Sequence, residues 1–102
     1  MNLLFKIEAI IRLHKQGGRT WPIKAGYRPG FNFVNDKQTS GSILLLTKEH
    51  LNSGEEGLAE VSFVSNELLG DVKPGTECKL YEGPTEIGTC LVINVRGWEI
   101  SV

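Results

Sequence analysis

The sequence predicts an all-β fold, a small sandwich or barrel, and three observations carry that expectation. Phe5, Ile7, Ala9, Ile11 and Leu13 are apolar at a strict period of two, and Ile87, Thr89, Leu91, Ile93 and Val95 follow the same spacing later in the chain. Period two is the spacing of side chains on one face of a pleated strand; at helical period the same residues would spread around the whole cylinder. Turn-forming clusters of Gly, Pro, Asn, Asp and Ser recur at short intervals, and no segment carries an apolar stripe long enough for a helix.

The elements follow in order. Lys6, Glu8, Arg12 and His14 lie opposite the apolar face of Phe5–Leu13, so the first strand has one buried and one wet side, with Ile10 the exception. A basic connection runs from Lys15 to Gly30, punctuated by Gly17, Gly18, Gly26, Pro29 and Gly30. Phe31–Val34 is the second strand, Asn35–Gly41 a polar turn, and Ile43–Leu46 an apolar strand. Lys48–Glu56 is polar, with a turn at Asn52-Ser53-Gly54 and room for one helical turn. Ala59, Val61 and Phe63 mark the next strand. Pro74-Gly75 suits the central pair of a type II turn. Cys78 and Leu80 form a strand that Glu82-Gly83-Pro84-Thr85 links to the last long one, Ile87–Val95. Arg96-Gly97-Trp98 breaks that pattern.

The 102 residues read as one domain with a modest core. The apolar fraction of 40% and charged fraction of 23% are those of a folded globule and exclude a disordered chain. No secretory leader and no membrane-spanning run is evident, so a cytoplasmic location is expected. The net charge of −1 hides an asymmetry: residues 1–35 hold six cations and one acid (net +5), residues 36–102 five cations and eleven acids (net −6). Such polarity suits two faces with different partners, unless adjacent strands mix the halves in space.

One stretch is more specific. Gly17-Gly18-Arg19-Thr20, followed by Gly26-Tyr27-Arg28-Pro29-Gly30-Phe31-Asn32-Phe33, resembles the beginning of the C-terminal β-barrel domain of elongation factor Tu. Glu82-Gly83-Pro84-Thr85-Glu86-Ile87-Gly88 is similar to that family's Gly-rich loop before its final strand. The resemblance spans roughly Phe5 to Val95, with the middle matching only in strand pattern. It implies a six-stranded antiparallel Greek-key closed barrel of the translation-factor type. It also implies a binding role without chemistry, since in the full factor this domain contacts the T-stem backbone of aminoacyl-tRNA and protein partners.

Carried over by residue, the resemblance makes Arg19 and Gly83 RNA contacts, with Thr39 or Ser40 at the position of the family's turn threonine. Three departures weaken that surface. The family's Gln after Tyr-Arg-Pro is Gly30 here. The family's basic residue before the Pro-Gly region falls near Glu67 or Leu68, so that charge is missing or reversed here. The last loop's Arg becomes Thr85, with Glu86 beside it. Pro84 also removes an N–H donor, so this loop is expected to be a rigid acidic rim and not an RNA clamp.

No catalytic signature emerges. Cys78 and Cys90 match no metal spacing, His14 and His50 are far apart, and Glu55-Glu56 reads as a solvated pair. No Gly-x-x-x-x-Gly-Lys-[Ser/Thr] occurs, so no nucleotide cycle is expected. The chain is read as a non-enzymatic module needing no cofactor or metal. It would bind tRNA-like RNA or a translation-apparatus protein through Lys15, Arg19, Trp21, Lys24, Tyr27, Arg28, Thr39, Ser40 and Gly83. The alternative is a protein–protein adaptor that copies this surface without binding RNA. Trp21 and Tyr27 either stack bases or cap the barrel mouth.

Overall fold

A computed structural model describes residues 2–15, 21–35 and 37–101. The described chain is all β, with eight strands: β1 Asn2–Leu13, β2 Ile23–Lys24, β3 Gly30–Val34, β4 Lys37–Leu45, β5 His50–Leu51, β6 Glu56–Phe63, β7 Glu77–Glu82 and β8 Thr85–Ser101. Six of them close into an antiparallel barrel in the order β1-β6-β4-β3-β7-β8, and β2 pairs with β5 as a separate two-stranded ladder. Among the described residues, no helix is long and apolar enough to cross a membrane.

The alternation of β1 reads directly into burial. Ile7, Ala9, Ile11 and Leu13 point inward and are buried, while Arg12 is exposed. β6 supplies the facing layer, with Phe5 opposite Phe63, Ile7 opposite Val61 and Ala9 opposite Ala59. An aromatic cluster fills the interior between β3 and β6. Phe31 and Phe63 meet edge to face at 5.1 Å, and Phe33 meets Phe63 at 6.2 Å. Gly41 of β4 makes room for it: a Cβ there would stand 2.6 Å from the Phe63 ring and 2.8 Å from that of Phe31.

Four parts of the sequence reading change. Lys37–Gly41 is the first half of β4 and not a turn; its polar composition suits a strand end that buries only Gly41. Lys48–Glu56 holds no helical turn. It contains β5 and a β-turn in which the Glu55 amide donates to the Asn52 carbonyl at 3.0 Å, with Gly54 at φ 83°.

The inward face of β8 is not Ile87, Thr89, Leu91, Ile93 and Val95 throughout. Ile87 is buried, but from there Cys90 and Val92 take the core, while Ile93 is exposed. The cause is a bulge. Leu80 faces Gly88 but Tyr81 faces Glu86, so Ile87 is an extra residue and the alternation slips by one. Leu91 therefore stands on the outer surface opposite Ile10, which in turn faces Leu58.

The break expected at Arg96-Gly97-Trp98 is also a bulge, and not a strand end: Lys6 faces Gly97 while Ile7 faces Val95. β8 runs on to Ser101 beside β1. The Pro74-Gly75 turn is as expected: the Thr76 amide donates to the Lys73 carbonyl at 3.0 Å and Gly75 has φ 96°, the sign that the second central residue of a type II turn requires.

Candidate binding end of the barrel

β1 and β7 finish, and β3 and β8 begin, at one end of the barrel, and the basic connection crosses it. β2 lies in that connection. Ile23 and Leu51 face each other across the β2–β5 ladder and are both buried, so they cover this mouth of the core. The cap is thus made by Ile23. Trp21 stays 75% exposed, and Tyr27 is half-buried against the core. The connection then runs along β4. The Gly26 amide donates to the Ile43 carbonyl at 2.8 Å, and the Ile43 amide donates to that of Tyr27 at 2.9 Å. This leaves Lys24 and Arg28 exposed on a backbone that is pinned at both ends.

The carboxylates sort the cations into two groups. On the barrel wall, Lys6 pairs with Glu60 at 3.0 Å, Arg12 with Glu56 at 3.0 Å, and His14 with Glu86 at 2.7 Å. Each pair joins a basic side chain from the first part of the sequence to an acid from the second, so adjacent strands do mix the two on the wall. Lys15, Lys24 and Arg28 differ. All three are exposed, and none makes an ion pair with a carboxylate among the described residues. Lys48 and His50 join them: Lys24 faces His50 across the ladder, and Lys48 precedes β5. Neither was expected, because two strands of two residues leave no periodicity to read.

The tip of the β7–β8 hairpin borders the same end. Glu82 faces Thr85 across a two-residue loop, and Gly83 adopts φ 60°, the positive value needed at the first central position of a type II′ turn. Its two acids are engaged. The Tyr27 hydroxyl donates to Glu82. Glu86 accepts from His14 and lies 3.4 Å from the Lys79 ammonium. The hydrogen bond from His14, and then Lys79, outweigh burial and hold the Glu86 carboxyl below its ordinary value. Glu86 therefore stays ionised, with the Lys79 ammonium as its counter-charge.

Gln38 lays its side chain across Gly30, where a Cβ would meet its Oε1 at 2.2 Å, and its amide donates to the Gly83 carbonyl at 3.3 Å. An amide thus occupies the neighbourhood from which Gly30 removes one, but it is used internally.

The other expected residues divide. Ser40 is exposed in β4 opposite Gly30, which faces Tyr81 on its other side; Thr39 is half-buried opposite Phe31. The fold thus gathers Tyr27, Ser40 and Gly83 around Gly30 and Gln38, with Lys24 and Arg28 on the adjoining connection. Gly17, Gly18, Arg19, Thr20 and Asp36 lie outside the described residues.

Away from this end, Cys78 and Cys90 face each other inside the β7–β8 pair, both as free thiols. The contact with Cys78, reinforced by burial, pushes the Cys90 thiol up, which leaves it a poor nucleophile. An open hollow of ≈ 350 Å³ lies where β3 and β7 part beyond Asn32 and Lys79, lined by Phe33, Asn35 and Cys78 among others. Among the described residues no three His, Cys, Asp or Glu side chains gather as a metal site would need. No protein-family model matches the chain, and no curated protein matches it.

Proposed function

We propose that the chain is a non-catalytic, cytoplasmic binding module of the translation-factor barrel type, and that its basic end takes structured RNA through the phosphate backbone. The observation that carries this is the contrast between cations. Lys6 and Arg12 on the wall are paired with carboxylates, while Lys15, Lys24 and Arg28 are exposed, make no ion pair among the described residues, and stand near an exposed Trp21 in the sequence. Unpaired cations on a fixed backbone release condensed counterions when they meet phosphates, and an aromatic among them offers a base a stacking surface. The strand order supports the kinship. β3, β4 and β6 are joined in sequence, and β1 lies beside β6 after a long crossing, as in a Greek key.

A protein partner of the translation apparatus is the second reading, with the chain acting as an adaptor. The β7–β8 tip favours it, because Pro84 supplies no N–H there and Gly83 has its carbonyl tied to Gln38.

Titrating labelled tRNA at low and moderate salt separates the two. RNA binding should weaken with a log–log slope of roughly 0.7–0.9 per phosphate contacted, and Arg28→Ala should flatten it by about one unit. Binding that is undetectable at low salt would leave the adaptor.

A further inference from the structure

The end of the barrel remote from the basic connection carries an open sheet edge. Beyond Phe5–Phe63, β6 no longer accompanies β1, and beyond Glu77–Leu91, β7 no longer accompanies β8. Among the described residues, the backbone from Ile93 to Ser101 is paired only with β1. The result is a two-stranded ribbon of Asn2–Lys6 and Gly97–Ser101 whose β8 side is unpaired. Such an edge is a template for another strand unless charge, proline or cover blunts it.

This edge is not blunted on both faces. Directly opposed residues of an antiparallel pair share a face, so Leu3 with Ile100, Phe5 with Trp98, and Ile7 with Val95 all lie on the face that continues the barrel interior. Phe5 and Trp98 meet edge to face at 5.5 Å. Past the rim that face has nothing to cover: Leu3 is 56%, Trp98 44% and Ile100 65% exposed. Arg96 and Glu99 lie on the other face. Arg96 donates to Glu99 at 2.7 Å and to Glu60 at 2.6 Å. The bulge produces this arrangement, because Arg96 is the extra residue and the alternation changes phase across it.

We propose that this edge of β8 pairs with the same edge of a second copy, antiparallel, about a two-fold axis at Trp98. Of the registers centred on Trp98, Glu99 and Ile100, all of which keep like faces together, the first is complementary. Centred on Glu99, the pairing sets that carboxylate against itself. Centred on Ile100, it sets Glu99 against Ser101 and not against Arg96 of the second copy. Centred on Trp98, it stacks the two indoles. The bulge then lets two residues oppose one, so that Ile100 meets Val95 of the second copy on the apolar face and Glu99 meets its Arg96 on the polar face. A closed two-fold contact of this kind is self-complementary and does not propagate. It leaves both basic ends pointing away from the axis, so the dimer would present two of them and gain avidity for a long ligand.

The test is sedimentation equilibrium of the intact chain over a range of concentration, with amide hydrogen exchange at low and high concentration. The proposal expects a mass rising toward twice that of one chain, and slowed exchange confined to Ile93–Ser101. Ile100→Lys puts a charge beside the axis on a side chain outside the core; it should stay monomeric with an unchanged melting temperature. Should Ile100→Lys fail to fold, the exchange map of the natural chain still decides. A natural chain that stays monomeric at high concentration would overturn the proposal. So would a dimer protected elsewhere, or an Ile100→Lys variant that dimerises like the natural chain.

Discussion

At the scale of residues, the phase of each side chain decides its energetic weight. Ile11 is fully buried, whereas Leu91 stands outside opposite Ile10. Ile11→Ala should therefore cost about 2–5 kcal/mol in urea unfolding, and Leu91→Ala clearly less. Equal costs would mean that the β8 bulge is misplaced. Glu60 offers a second residue-level test. Burial opposes its ionisation, but hydrogen bonds from Lys6 and Arg96 outweigh it and hold the carboxyl below 4.5. Because the folded value is the lower one, the unfolded chain takes up the proton first. The stabilisation is complete above that ordinary value and is lost as pH falls through the lowered one. Glu60→Gln should flatten the acid limb of a stability–pH curve below about pH 4.5. An unchanged limb would show that the Lys6–Glu60–Arg96 cluster is too solvated to matter.

At the scale of elements, glycines record where strands approach closely and where turns need positive φ. At Gly88 a Cβ would lie 2.2 Å from the Arg12 carbonyl oxygen and 3.1 Å from the Leu13 Cα, both backbone, so β1 and β8 would have to separate. Gly88→Ala should cost about 1–3 kcal/mol or more by thermal unfolding. At Gly83 nothing lies within 4 Å, but φ is 60°, and alanine there should cost roughly 1–2 kcal/mol from backbone strain alone. A neutral Gly88→Ala would contradict the register of the β1–β8 pair. This is also the scale at which legibility ran out. β1 was readable because only one of its faces is apolar. β8 was not, because Ile87, Leu91 and Ile93 alternate in one phase while Cys90 and Val92 occupy the other, and only the bulge chooses between them. The first half of β4 was hidden by its polar composition, and β2 and β5 by their length.

At the scale of the whole molecule, closing the barrel turned a sequence-level charge asymmetry into a local one. Of the six cations in the first 35 residues, Lys6 and Arg12 are met on the wall by acids from distant strands, and His14 meets Glu86 there. Among the described residues, Lys15, Lys24 and Arg28 make no ion pair at the capped end, and Lys48 and His50 join them there. The sequence pointed to the first three because they stand close together in a Gly- and Pro-rich connection. It did not point to the last two, because only the folded ladder brings them there. It also credited Trp21 and Tyr27 with one alternative between them. The fold separates the pair, with Trp21 outside and Tyr27 packed on the core with its hydroxyl on Glu82. The central claim is that this end is the RNA-binding face. The most direct measurement is an amide chemical-shift map of isotopically labelled protein on addition of tRNA at low salt. The account predicts perturbations concentrated at Lys15, Trp21–Arg28 and Lys48–Leu51, fading as salt rises, with the outer wall around Lys6, Glu60 and Arg96 unaffected. Perturbations centred on that wall, or none at low salt, would contradict it.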